Sequence, residues 1–477
     1  MLNDKRIGFR KKFIGDKAFY KMVFAIAIPI MVQTGISNFV SMLDNIMVGR
    51  IGTEEMSGVS IINQLNFVYM LCIFGGLGGI GIFTAQYFGA GDEEGVRKTF
   101  RVKLFMGLAL TILGSAIFFF FGSKLIGLYL HEDETGTGDI ALTLHYAEQY
   151  LRLLMISFPA FFLLQVYTST LRECGETVLP MKAGLAAVAV NLVGNLLLIY
   201  GFLGFPKLGV AGAAIATVAS RYVEALIVIL WTHTHKERNP WVKGAYRTLY
   251  VPIREVKMYL FRGFPLLMNE TLWSAGQAVL TQCYSTRGLA VVAGLNIAST
   301  LNNFVDMIFI TLANTVGIVV GQLLGAGKLE EAKDKDNKLL FLSVAMSFIS
   351  ASVLVAGSFF FPEFYNTSRE AKAIAVSFLI AYACVCPKNA FLNSAYFTLR
   401  AGGKTIRTLI FDSGSVWFVS IPIAFALSRF TGLSALAIFI IVSIADLSKV
   451  VLGYVWVKKN IWLNDLVKKD QSVSDGA

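Results

Sequence analysis

Charge is scarce in this chain. Only 15% of its 477 residues are Asp, Glu, Lys or Arg, against roughly 25% in soluble domains, which argues against a water-soluble enzyme. Cysteine is scarcer still and odd in number. Cys72, Cys174, Cys283, Cys384 and Cys386 lie in or at the ends of apolar runs, so neither a disulfide framework nor a metal site is expected. Catalytic and nucleotide-binding signatures are also missing. No His/Asp/Ser set occurs, and the His233-Thr-His235 pair has no further ligand. The glycine-rich run from Gly75 to Gly81 lies within an apolar stretch without a following Lys-Ser/Thr, so it reads as close helix packing. Gly327-Lys328 has Gln322 where a phosphate loop needs glycine, and Leu329 follows it. No cleavable signal is expected, because the basic N-terminus runs into a span too long for a signal core. The net charge of +11 comes without a zinc-ligand set or an aromatic-basic ribbon, so nucleic acid is not an expected partner, and no cofactor is called for.

What the chain has instead is apolar length. Hydrophobic residues make up 55% of it, in runs of the roughly 20 residues that cross a bilayer as a helix. Spans are expected near residues 18–47, 59–88, 104–122, 143–170, 183–205, 210–231, 257–284, 291–324, 339–361, 373–399, 408–428 and 432–457. Twelve spans put both termini on one side, and the basic residues say which. Of 42 Lys and Arg, 31 fall on the side of the termini, counting Lys21, Lys257 and Arg262 at the near ends of their spans, 7 on the other, and 4 deeper inside spans. Cytoplasmic loops hold the positive charge, so both termini are expected in the cytoplasm.

Gln86-Tyr-Phe-Gly-Ala-Gly91 recurs as Gln322-Leu-Leu-Gly-Ala-Gly327, an offset of 236 residues. The same offset relates Pro29 to Pro265, Gly52 to Gly288, Gly58 to Gly294, Asn66 to Asn302 and Gly81 to Gly317. Leu171-Arg-x-x-Gly175-x-Thr177 matches Leu399-Arg-x-x-Gly403-x-Thr405 eight residues closer, which places the extra length of the first half near His131–Glu134. A unit of six spans enters and leaves on one side, so the two repeats are parallel and related by an axis along the membrane normal. The expected organisation is a tail and six helices over 1–231, a basic loop over 232–256 bridging the lobes, six helices over 257–460 and a tail over 461–477. Two facing bundles leave a central cleft, as in an alternating-access transporter.

Polar residues inside spans are costly and mark candidate sites. Gln33, Ser37, Ser41 and Asp44 lie within about 80° of one helix face, and Glu270, Ser274, Gln277 and Thr281 repeat the device in the seventh span. Such stripes also serve as glue between helices. Counting from Pro29 and Pro180 at about 1.5 Å per residue, and about seven residues inward from the outer end of the sixth span for Thr217, puts Asp44, Asn191, Asn195 and Thr217 at one level in the outer half of the first lobe. A carboxylate, two amides and a hydroxyl form a hard-oxygen set suited to a proton or a small cation such as Na⁺. In the second lobe Glu270, Asp306 and Lys388 are expected near mid-depth as two acids and one base, with local pairing or snorkelling of Lys388 the competing reading. Arg221 with Glu224, and Asp446 with Lys449, read as local pairs that stabilise helices.

Taken together, Met42-Leu-Asp44-Asn-Ile-Met-Val-Gly49-Arg-Ile-Gly52, the twice-used Gln-x-x-Gly-Ala-Gly, Leu171-Arg-x-x-Gly175-x-Thr-x-x-Pro180 and Gly209-Val-Ala-Gly-Ala-Ala-Ile-Ala-Thr217 resemble the multidrug and toxic compound extrusion (MATE) transporters over about residues 20–460. The resemblance implies an all-α integral membrane protein, with twelve helices in two six-helix lobes forming a V. It would be a monomer in a prokaryotic inner membrane. It would export amphipathic, often cationic compounds in exchange for H⁺ or Na⁺, with no catalytic residues. By the same resemblance the coupling carboxylate falls on Asp44, its polar neighbours on Asn191, Asn195 and Thr217, and the glutamate of the NorM-like branch on Glu270. Gln33, Ser37, Gln277, Asp306 and Lys388 complete the candidate substrate-binding set. That branch carries an acid in the tenth span, where this sequence has Lys388. A flippase of lipid-linked saccharides from the same superfamily is the alternative, and lipid phosphates would call for basic residues in the cleft.

Overall fold

The computed structural model describes residues 12–129, 139–365 and 367–468. The His131–Glu134 stretch, most of the N-terminal basic residues and the side chain of Ser41 lie outside what it describes. Among the described residues there is no strand. The helices are α1 Lys17–Gly49, α2 Thr53–Ala90, α3 Glu93–Gly127, α4 Ile140–Met155, α5 Phe158–Glu173, α6 Val178–Tyr200, α7 Val210–Thr234, α8 Ile253–Ser285, α9 Leu289–Gly325, α10 Leu329–Ser358 and α11 Arg369–Ala401. Two more, α12 Thr405–Phe430 and α13 Ala435–Lys458, complete the series.

Ten of these helices are long and apolar enough to cross a membrane, and α4 with α5 makes an eleventh span bent by 50°. The bend has a local cause. Pro159 sits in the first turn of α5 without an N–H to donate, and Ser157 turns its hydroxyl back onto the Leu154 carbonyl at 2.7 Å. The twelfth span, α8, has the length but less apolarity, because Arg254, Glu255, Lys257 and Arg262 occupy its first turns and Asn269 and Glu270 its middle. Several helices outrun their apolar runs in this way. Glu93 and Glu94 open α3, where acids favour the positive end of the helix dipole, and Arg97 pairs with both.

By their contacts the residues form two compact units. One comprises Val32–Gly81 and Glu93–Met258; the other comprises the chain up to Met31, Ile82–Asp92 and everything from Tyr259. Both units draw on the first half of the sequence. In the second unit the ends of α2 and α9 cross through the repeated motif. A Cβ on Gly89 would lie 1.9 Å from the Gln322 carbonyl oxygen, and one on Gly325 would lie 1.8 Å from that of Gln86. Each motif supplies a glycine to the other's glutamine, as a local two-fold axis requires, and each helix then ends on a glycine with positive φ, Gly91 at 74° and Gly327 at 71°. Only glycine adopts that conformation at no steric cost. The buried Gln86 side chain donates to the carbonyls of Ala401 (2.9 Å) and Asn464 (3.3 Å) and accepts from the Leu466 N–H at 2.8 Å.

The basic loop folds onto the first unit instead of standing free. Trp241 is 1% exposed and packs on Phe100 with ring centroids 5.0 Å apart. Arg101 donates to the Ala245 carbonyl at 2.9 Å, and Tyr167 bonds Tyr246 and His233. Burial raises the Tyr246 phenol above its ordinary range. His235 stacks on Trp231 at 4.5 Å, so the two histidines face different aromatic partners.

Candidate functional site

The first unit joins Asp44, Asn195, Asn191 and Thr217 in one chain of hydrogen bonds. Asn195 donates from Nδ2 to the Asp44 carboxylate and, at 3.3 Å, to Asn191 Oδ1. Asn191 donates to the Thr217 hydroxyl at 3.3 Å, and Thr217 donates to the Ala213 carbonyl one turn back at 3.0 Å. The four-residue spacing on α6 stacks the two amides on one face, both buried, and Gly194 lets α7 approach with Ala216 against it. Asn195 Oδ1 is buried and has no partner among the described residues. The site therefore offers a carboxylate and an amide oxygen with open lone pairs, a donor set for a proton or one small cation.

The other candidates of the first span separate. Gln33 accepts from Arg172 and Ser37 is exposed. Arg221 and Glu224 pair at 3.1 Å, and Arg221 also lies within electrostatic reach of Asp44, so the pair belongs to the surroundings of the carboxylate as well as to its helix.

In the second unit the expected cluster of Glu270, Asp306 and Lys388 resolves into three environments. Lys388 pairs with Asp446 at 3.5 Å and donates to the Ser443 carbonyl at 3.3 Å. The reason is a break in α13 at Asp446, which brings a carboxylate and a loosened carbonyl to one place, and a buried ammonium is best held where both are available. Asp446 is also taken from the other side by Ser420, at 2.7 Å, so its side chain looks away from the local Lys449 pairing expected of it. Asp306 accepts from Asn302 at 2.8 Å, and its Oδ1 is buried without a partner among the described residues. Gln277 is exposed.

Glu270 accepts from the Tyr396 hydroxyl at 3.0 Å, with Arg400 and Asp412 as its charged neighbours. Asp412 comes from α12, where residues Ile410–Gly414 and Val416–Ser420 are wound as π-helix. That rewinding seats it on Asn269, which donates to Asp412 at 3.0 Å and accepts from the Ser413 hydroxyl at 2.7 Å. Such turns are rare and concentrate at functional sites. Asp412, Asn269, Tyr396 and Arg400 were not among the sequence candidates. Asp412 had a signal, an acid inside the expected 408–428 span, as did Asn269, an amide inside the 257–284 span, and Arg400, the arginine of the repeated Leu-Arg motif; Tyr396 had none.

Comparison with known proteins agrees with this architecture. The MatE family model matches residues 29–197 and 265–426, one stretch in each repeat. The probable multidrug resistance protein YoeA of Bacillus subtilis is 25% identical over 91% of this chain and 93% of its own length. The probable multidrug resistance protein NorM of Thermotoga maritima is 24% identical over 88% of each. A solved outward-facing conformation of a multidrug resistance MATE family transporter of the MOP superfamily superposes with a TM-score of 0.82 at 20% identity, covering 94% of this chain and 96% of that one. With a family model spanning both repeats and a matching twelve-helix fold, the chain belongs to the MatE family of multi-span membrane transporters, and it is a carrier and not an enzyme.

Proposed function

We propose that this protein is a secondary antiporter that exports amphipathic, cationic organic compounds in exchange for H⁺ or Na⁺ by alternating access, from a prokaryotic inner membrane with both termini in the cytoplasm. The observation that carries the reading is the chain from Asp44 through Asn195 and Asn191 to Thr217. A lone carboxylate beside a buried, unpartnered amide oxygen binds one monovalent cation and releases it when its surroundings change. The names of the relatives, multidrug resistance proteins, support a broad range of small organic substrates.

Preference for cations is supported by Asp306, a largely buried acid whose hydrogen-bond partner is the neutral amide of Asn302. An acid in that setting gains most when a positive ligand arrives. The test is accumulation of a fluorescent organic cation by inverted vesicles under an imposed pH or Na⁺ gradient. Uptake driven by one of the two gradients, absent in Asp44→Asn, is the expected result. Uptake indifferent to both gradients, or selective movement of a lipid-linked saccharide, would overturn it.

A further inference from the structure

Beside the Asp44 chain, the first unit holds a second line of polar groups. Thr217, Arg221 and Glu224 follow one another on α7 at spacings of four and three residues, which points all three along one face. Arg221 Nη1 pairs with Glu224 Oε2 at 3.1 Å, and the guanidinium stands 5.9 Å from the Phe161 ring. The Glu224 side chain is 6% exposed and that of Arg221 33%. The other oxygen of Glu224 and the Gln33 amide both border Gly184, where an added Cβ would lie 3.5 Å from Glu224 Oε1 and 3.3 Å from Gln33 Nε2. Gln33 in turn accepts from Arg172, whose Nε is buried without a partner among the described residues. At the other end, Arg221 lies within electrostatic reach of both Asp44 and the buried Tyr150, whose hydroxyl faces Thr217.

We propose that Arg221 is an internal cation shared between Asp44 and Glu224, and that the coupling ion displaces it from Asp44 toward Glu224. The inference rests on the antiport reading with Asp44 as the coupling carboxylate. Its physical basis is competition. A guanidinium facing Asp44 alone would neutralise it permanently and keep other cations out. A guanidinium facing no acid at all would be buried uncompensated. Glu224 resolves both difficulties by giving Arg221 an alternative partner 3.1 Å away. Asp44, Arg221 and Glu224 sum to −1 when Asp44 is empty and to zero when one monovalent ion is bound, and Arg172 adds a positive charge on the Glu224 side, so a low-dielectric site resists a second coupling ion. The groups facing this exchange are Gln33 from α1, Tyr150 from α4, Phe161 and Arg172 from α5, and Asn191 and Asn195 from α6. Of these, Arg172 alone carries a charge, and it lies on the Glu224 side.

The two halves of the pair should act with opposite sign. Purified full-length protein in proteoliposomes, with ethidium as substrate, gives the half-saturating concentration of H⁺ or Na⁺ for transport. Removing an opposite charge within electrostatic reach of a carboxylate changes its affinity for a cation by up to about tenfold. Arg221→Gln should therefore lower the half-saturating concentration by up to about tenfold. Glu224→Gln, which leaves Arg221 to Asp44 alone, should raise it by a similar factor, and the double variant should match Arg221→Gln because Glu224 acts through the arginine. Arg221→Lys keeps the charge and should restore the wild-type value, which keeps the idea testable if the glutamine variant does not fold. Single variants that shift the value in the same direction, or lower the maximal rate without shifting it, would overturn the proposal, since that is what a purely structural ion pair does. A wild-type protein whose transport ignores both ions would instead remove the antiport reading on which it stands.

Discussion

Adding one methyl group at the crossing of α2 and α9 should cost this protein a large part of its stability. In Gly325→Ala the new Cβ would lie 1.8 Å from the Gln86 carbonyl oxygen and 2.5 Å from its carbonyl carbon and α-carbon. The obstacle is backbone, so no side chain can rotate away, and the helices must part by more than about 1 Å to reach an ordinary contact. Overpacking of this kind costs roughly 1–3 kcal/mol, and more where the neighbours are rigid. The displacement also carries Gln86 away from Ala401, Asn464 and Leu466, where its side chain makes three hydrogen bonds. Losing one or two of them adds about 1 kcal/mol each, for a sum of about 4 kcal/mol. Gly89→Ala meets the Gln322 oxygen at 1.9 Å at the same crossing and should incur a similar cost. The double variant should cost less than the sum, because one methyl has already parted the helices. The assay is thermal unfolding in detergent, read by the uncovering of the buried Cys283 and Cys386 to a thiol-reactive fluorophore after the exposed Cys384 has been replaced. Gly127→Ala, with nothing within 4 Å of the added atom, is the control. A Gly325→Ala protein that unfolds at the temperature of that control would refute the reasoning.

Four further outcomes follow from other parts of the molecule. Asp44→Asn should fold normally and abolish gradient-driven export; export by the purified variant at the wild-type rate would reduce Asp44 to helix glue. Lys388→Gln leaves the part-buried Asp446 beside Ser420 with its ion pair removed, and should lower stability by about 2 kcal/mol, between the values for exposed and buried pairs, while leaving the coupling-ion dependence set at Asp44 unchanged; ethidium export against ion concentration checks the second part. In Asp412→Asn one of the two acids about the Glu270 site is lost, so binding of a cationic substrate, measured by fluorescence titration, should weaken more than binding of a neutral one of similar size. For topology, cysteine at the exposed position 243 should be shielded from an impermeant thiol reagent in intact cells and cysteine at Leu203, 89% exposed, should react, each in a background without native cysteines. Labelling of position 243 from outside would reverse the assigned orientation.

Hydropathy and spacing are properties of a single line of residues, and what depends on them was legible in the sequence. Each of the twelve expected runs falls on one helix or on the bent pair, because an unsatisfied backbone in lipid leaves a helix as the only choice. Even so, α3 and α10 begin at Glu93 and Leu329, well before the runs expected from 104 and 339, and α8 is less apolar than the rest. The constant offset between Gln86 and Gln322 disclosed the repeat. Depth was legible too, since rise per residue is fixed: counting from Pro29 and Pro180 put Asp44, Asn191 and Asn195 at one level, where they are hydrogen-bonded. Depth, however, does not say which way a helix is turned or what stands beside it. Asp306, Lys388 and Glu270 were assigned to one level, yet each faces a different neighbour: Lys388 the break in α13, Asp306 its own helix, Glu270 the Tyr396 hydroxyl. Asp412 reaches the surroundings of Glu270 only because π-turns rewind α12, a change of phase that an average of 3.6 residues per turn conceals. The repeated glycines were visible as a pattern, but their meaning, each admitting the backbone of the other's glutamine, required the two helices to be seen crossing. Spacing along each helix was set by the sequence alone; rotation about each helix axis and the choice of partner for each buried charge were decided by packing.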